Sequence, residues 1–480
     1  MKLTLDRAAE SRSTESGKSP DFAPETRPAK DDLKIFWIGS AFLWAACVSA
    51  SLIGVATTWF WVMIFIAVAV LLFGVSAQIR PAMGLYSAAV LALCCAPNNA
   101  PVEVQLVVSV ACCFVLALGL VRASAPHGRL GGAGVAVVAL VIVYGVLQLS
   151  ATVLENSANV FVVAARFTLP AVLAVFAAAR LDSAARCFLL DAIVSLAVLQ
   201  SVIGVLEFLN LTAPIFGTAT VYDTALMNPL LPGVVRVQAM LGHPIVLGLL
   251  IVFALVLLLN RAPRMRSWQT AGLSAVLLAG LFLCGSRSSW LALAICCVLA
   301  LFWAVKNLIV RTFAILGLLI GLFAALTSSR ASSILVEQLD LFTDSGSFTH
   351  RMESFGSFFA ILSQHAIRPA LIGSGVGSEP RLFAAGLLQQ DGFLIIDNQL
   401  LTTMVTIGLF GLLVLLSLVA FAVFGLPPAE RLACIAMLIM FFTFDALRWT
   451  GPIVLFFALV GLVVSYSREK ERAKRTLASV

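Results

Sequence analysis

Four arginines, Arg166, Arg236, Arg287 and Arg351, fall near the same-side ends of long apolar runs. A guanidinium left unpaired in hydrocarbon costs several kcal/mol, so arginines at such places need a partner or an anionic ligand. The guanidinium is planar, permanently protonated and able to make several charge-assisted hydrogen bonds at once, which suits a phosphate or diphosphate. Asp397 and Asn398 open another apolar run on that side. A carboxylate there can accept a proton or orient a hydroxyl, and either residue is also a good helix N-cap. Of the histidines, His243 precedes Pro244 at the start of a run, as a ligand or simply as the residue that begins a helix. His350 and His365 are alternative bases, whereas His127 falls on the opposite side.

These residues must be positioned by membrane helices. The chain has 480 residues, 61% hydrophobic and 11% charged, with a mean hydropathy of +1.04. That composition excludes a soluble globular domain. Apolar runs of about 20 residues, without alternation, also exclude a membrane β-barrel. The expected fold is all-α, a polytopic membrane protein of about 12–14 transmembrane helices with one large extracytoplasmic loop. The runs lie near 35–55, 58–77, 82–96, 102–121, 133–152, 160–179, 187–209, 243–260, 269–286, 288–305, 311–327, 397–424, 432–447 and 452–467. The third is short and is followed by APNNAP, so it and its neighbour are candidates for a re-entrant or tilted pair.

Placing both termini in the cytoplasm puts Arg80, Arg122, Arg129, Arg180, Arg186, Arg261, Arg264, Arg266, Lys306, Arg431 and the tail SREKERAKR on the inner side. This satisfies the positive-inside rule. The net charge of +7 is thereby explained by topology and does not point to nucleic acid. Residues 1–34 read as a disordered cytoplasmic tail, 35–467 as the transmembrane domain and 468–480 as a basic cytoplasmic tail. The cysteines show no metal-ligand or disulfide spacing and read as small apolar filler.

Residues 328–396 form the largest extracytoplasmic loop and are too rich in Phe, Leu and Ile to be disordered. From Arg351, RMESFGSFFAILSQ places Phe355, Phe358, Phe359 and Leu362 at helical spacing, as an interfacial helix would. IGSGVGS follows, whose Gly373, Gly375 and Gly377 call for a flexible or tightly turned backbone. Asp445 and Arg448, one helical turn apart, are expected to pair with each other.

Taken in order, RVQAMLGHPIVLG from Arg236, GSRSSW around Arg287, HRMESF with IGSGVGS, and DNQLLTTMVTIGLFGLL from Asp397 resemble the O-antigen ligase and Wzy-type polymerase superfamily. The resemblance covers roughly residues 160–425. It implies a bacterial glycosyltransferase of the cytoplasmic (inner) membrane, acting at its outer, periplasmic face on undecaprenyl-diphosphate-linked oligosaccharide. Further implied partners are a chain-length regulator and a flippase, besides the lipid bilayer. Ligases of the superfamily carry His-Asn where this chain has Asp397-Asn398, and that His is the implied base. The departure favours a polymerase of O-antigen, capsule or exopolysaccharide units over a ligase that transfers glycan to lipid A core. A flippase or transporter with arginines facing a cavity is the rival from another class.

On this reading Asp397, Arg287, Arg236 and His350 are the candidate catalytic residues, and Arg166, Arg351, Asn398 and His243 bind substrate. No DxD-like acidic pair stands out on the outer side, so the expected transfer uses no metal. No cofactor is expected, and the transfer is expected to invert configuration.

Overall fold

The computed structural model describes residues 30–53, 58–97, 100–121, 130–155, 159–218, 220–221, 224–261, 265–304, 346–364, 366–390 and 394–478. The expected span at 311–327, the basic turn with Arg122 and Arg129, His127 and His365 lie outside the described residues. Helices α1 (Lys30–Ile53), α2 (Thr58–Phe73) and α3 (Arg80–Val90, continued by a π turn Leu91–Cys95) begin the bundle. They are followed by α4 (Val102–Val121), α5 (Gly132–Glu155), α6 (Val160–Ala178), α7 (Ser183–Phe208), α8 (Pro244–Arg261), α9 (Ser267–Cys284) and α10 (Arg287–Ala304). The large loop supplies α11 (Gly346–Gln364), α12 (Ile367–Ile372) and α13 (Glu379–Ala384), and the chain closes with α14 (Gln399–Gly425), α15 (Pro428–Phe441) and α16 (Thr450–Ala478).

Among the described residues, eight helices are long and apolar enough to cross a membrane, with four shorter apolar helices beside them. The chain is therefore an all-α, multi-pass membrane protein. Its described β structure is a two-residue ribbon, Thr220–Val221 against Thr224–Ala225. Large apolar side chains such as Trp59 (76% exposed) and Phe424 (82% exposed) face outward, as lipid-facing positions do, because hydrocarbon is their solvent. Helix α16 is the axis of the bundle, with 89% of its most apolar stretch buried, and it touches α3, α5, α6, α14 and α15.

Polar contacts collect at the two ends of the bundle. At one end Asp32 accepts hydrogen bonds from the N–H (2.8 Å) and hydroxyl (3.0 Å) of Ser76. There, too, Arg186 donates to both oxygens of Glu469 (2.9 and 2.7 Å), with its guanidinium 4.0 Å from the Tyr466 ring. Arg80, Arg431 and Arg468 satisfy backbone carbonyls at the same end. The opposite end gathers the longer connections and the residues singled out for chemistry.

Two spans depart from the continuous helices expected. Helix α15 stops at Phe441, short of the predicted 447, so Asp445 stands in the turn before α16. Helix α14 is broken at Gly408, whose φ of 71° and ψ of −171° interrupt the ladder. The loop repairs the break: the N–H groups of Ser374 and Gly375 donate to the carbonyls of Val405 (2.8 Å) and Thr406 (3.1 Å). Non-helical backbone at membrane depth persists only where protein satisfies it, and here IGSGVGS does so. The approach needs glycine on both sides, since a Cβ on Gly373 would sit 2.3 Å from the Thr406 carbonyl oxygen and one on Gly408 2.4 Å from Leu371.

Candidate active site at one end of the bundle

Arg236 is held by backbone on two sides. Its N–H donates to Leu226 O (2.8 Å) and its Nε to Cys284 O (2.8 Å). Cys284 ends α9, and the Gly285–Ser286 turn leads directly into Arg287, the first residue of α10. The 210–242 connection is fastened to the same hairpin by Asn228, whose Nδ2 donates to Phe282 O (3.2 Å) and Leu283 O (2.9 Å). Two arginines 51 positions apart in sequence thus share one turn. Beneath them, Ser289 Oγ donates to Ser286 Oγ (2.7 Å), and Ser286 Oγ lies 3.2 Å from Ser288 Oγ.

His243 stands one residue before α8, and its Nδ1 accepts the N–H of Ile245 (3.2 Å). Burial and the nearby Arg236 charge push its pKa down to about 3, so the ring is neutral at physiological pH. With Nδ1 already accepting, Nε2 carries the proton. His243 can therefore donate a hydrogen bond or orient a group, but it is not equipped to act as a base. Its ring meets Trp449 edge-on, with centroids 5.5 Å apart.

Trp449 Nε1 donates to Asp445 Oδ1 (3.4 Å). Burial, reinforced by the negative charge of Asp397, raises the Asp445 pKa to about 7, against the opposing pull of Arg448. The two aspartates are brought together by Gln399, whose Oε1 accepts the N–H of Leu447 (2.6 Å) while its Nε2 donates to Thr403 Oγ1 (3.0 Å). Asn398 is the N-cap of α14, with Oδ1 accepting from Leu400 N (2.9 Å) and Leu401 N (3.1 Å). Capping thus falls to Asn398, and the half-buried Asp397 is not needed for it. The expected Asp445–Arg448 ion pair is replaced: Arg448 pairs with Glu379 of α13, which the large loop brings to the same end, while Arg381 binds Glu155 at 2.5 Å.

Arg166 is carried by a different element from Arg236 and Arg287. It lies on a π turn, Ala164–Thr168 within α6, where it donates to Gln105 Oε1 and its guanidinium is 5.2 Å from the Phe167 ring. His350 and Arg351 belong to α11, but their side chains lie outside the described residues. Among the described residues, no group of three or more His, Cys, Asp or Glu is placed to hold a metal ion.

Asp445, Trp449 and Glu379 were not expected as site residues. Asp445 is legible in FFTFDALRWTGP as an acid between two apolar runs, but pairing it with Arg448 hid it. Nothing in the sequence separates Trp449 from an ordinary interfacial aromatic.

Comparison with known families gives a partial match. Residues 272–416 match the Wzy_C family, described as O-antigen ligase. The matched stretch runs from α9 through Arg287 and the large loop past Gly408 and Gly411. Comparison with individual curated proteins gave no match.

Proposed function

We propose that this protein is a polysaccharide polymerase of the cytoplasmic membrane, transferring glycan from undecaprenyl diphosphate onto a lipid-linked repeat unit at the outer face. The supporting observation is that Arg236 and Arg287 share the 284–287 turn while Asp397 and Asp445 stand in each other's field beside Trp449 and His243.

In this reading an acceptor hydroxyl oxygen attacks the anomeric carbon of the donor sugar. The bond from that carbon to the diphosphate oxygen breaks, and its electron pair leaves with the undecaprenyl diphosphate. Arg236 and Arg287 stabilise that departing charge, the kind of electrostatic contribution that dominates many such reactions. The hydroxyl proton passes to the aspartate pair, Asp397 or Asp445. Direct displacement inverts the anomeric centre.

The second reading is a ligase that performs the same displacement with lipid A core or another acceptor, and the description of the matched family favours it. A strain lacking the gene separates the two when its surface glycan and lipid-linked intermediates are analysed. The polymerase reading expects single lipid-linked repeat units to accumulate with loss of polymer. Long unligated chains would establish the ligase, and unchanged glycan would overturn both.

A further inference from the structure

A cleft opens where several helices end, next to the His243–Trp449 contact. Gln105, Arg166, Pro97, Leu241, Trp449 and Thr450 are among its lining residues. None of the lining residues is a carboxylate. Arg166 donates to the uncharged amide oxygen of Gln105, and its buried Nε has no hydrogen-bond partner among the described residues. A second cation, Arg448, acts on Arg166 from nearby, and its own counter-charge, Glu379, belongs to the loop helix α13.

Thr450 begins α16, a helix of 29 residues, and its hydroxyl lies 3.2 Å from Ser109 Oγ. The first turn of a long helix adds partial positive charge to the cleft. A guanidinium with a buried unsatisfied N–H and a helix start, in a cleft with no carboxylate among its lining residues, form an environment that is incompletely satisfied. An anion would complete it.

We infer that the cleft around Arg166, Gln105 and Trp449 is a second anion subsite, adjoining the candidate active site, which holds a phosphate or carboxylate of the substrate other than the diphosphate bound at Arg236 and Arg287. The inference rests on the proposed transfer reaction for its biological meaning, but its test does not. Two substrates meet in such a reaction. Splitting the positive charge between two places lets the enzyme hold one anionic group as it departs and another that stays. A retained phosphate would come from the acceptor's lipid carrier, and a retained carboxylate from an acidic sugar of the acceptor glycan.

Calorimetric titration of the purified full-length protein in phosphatidylcholine nanodiscs distinguishes these sources, with inorganic pyrophosphate and glucuronate as the two probes. Binding of either probe at a site that weakens at least tenfold in Arg166→Gln, and keeps its affinity in Arg236→Gln, is the expected result. Pyrophosphate at that site identifies the carrier phosphate, and glucuronate identifies the acidic sugar. Arg166→Lys, which keeps the charge, controls for folding by retaining part of the affinity. Absence of binding by both probes, or equal affinity in wild type and Arg166→Gln, overturns the subsite. Because no turnover is measured, that outcome leaves the deletion-strain result to decide the reaction separately.

Discussion

At the scale of single residues, the site divides its carboxylates by environment. Asn398 caps α14, so Asp397→Asn should leave the helix start intact while removing a carboxylate from the site. If Asp397 takes the acceptor proton, the variant loses roughly two to four orders of magnitude in rate, the usual share of general acid–base catalysis; full activity would eliminate it as the base. Asp445 carries the pH dependence. With its pKa raised to about 7, it becomes a carboxylate as pH rises through 7. Activity that needs that carboxylate climbs over the same interval and levels off above it, and Asp445→Asn flattens this limb of the pH–rate profile. The sign for stability is opposite. An acid whose folded pKa is raised stabilises the fold fully below its unfolded value near about 3.9 and loses that contribution as pH approaches 7. Wild type should therefore fall in melting temperature relative to Asp445→Asn between pH 4 and 7, with a constant difference above. Sequence alone located Arg236, Arg287, His243 and Asp397 at this end, because apolar runs mark where a polar side chain must have a purpose. It could not tell that His243 is a neutral donor, since that follows from the Ile245 N–H occupying Nδ1.

At the scale of elements, the spans were legible to within a few residues at most boundaries, because hydropathy reports what the bilayer demands. The breaks were not. Gly408 lies within a continuous apolar run, and its φ of 71° depends on a loop more than thirty positions upstream, a contact that hydropathy cannot register. Gly408→Ala places a methyl group 2.4 Å from Leu371 and demands a backbone conformation that L residues rarely adopt. Overpacking of this sort costs about 1–3 kcal/mol, and the strain adds to it. The purified variant should melt at a clearly lower temperature, and activity should fall as the 372–378 turn loses its seat on α14. Gly272→Ala is the matched control, because nothing lies within 4 Å of the added methyl group, and its melting curve should overlay wild type. Equal curves for all three proteins would mean that the break is not held as described.

At the scale of the whole molecule, the bundle is polarised. Arg80, Arg186, Arg431 and Arg468 bind carbonyls and acids at one end, and Arg236, Arg287, Asp397 and Asp445 gather at the other. Only the first set satisfies the positive-inside pattern, so the second should face the cell exterior or periplasm. Single cysteines at positions 236, 287 and 397, in a background cleared of the ten native thiols, should react with an impermeant maleimide added to intact spheroplasts. Labelling that requires lysis would invert the orientation. This polarity was readable from sequence because charge asymmetry is itself a sequence property. The convergence of Arg236 with Arg287 was not, since it depends on a hydrogen bond from the Arg236 side-chain Nε to the Cys284 carbonyl oxygen.

The break in α14 also bears on how the chain is made. Beyond Gly408 the run 409–425 is apolar apart from Ser417, whose hydroxyl donates to the Leu413 carbonyl, and at 1.5 Å per residue it extends about 26 Å, close to the hydrocarbon thickness. The half ahead of the break is different: Asn398, Gln399, Thr402, Thr403 and Thr406 are all buried polar residues, and the threonine hydroxyls fold back on carbonyls four residues earlier. A ribosome delivers the 372–378 turn before either half. When Val405 and Thr406 emerge, the N–H groups that complete them already exist, so the polar half can be received by protein while its apolar continuation is retained by lipid. Vectorial synthesis and the order of motifs in the sequence thus run in the same direction, with the receptor for the broken helix translated ahead of the helix itself.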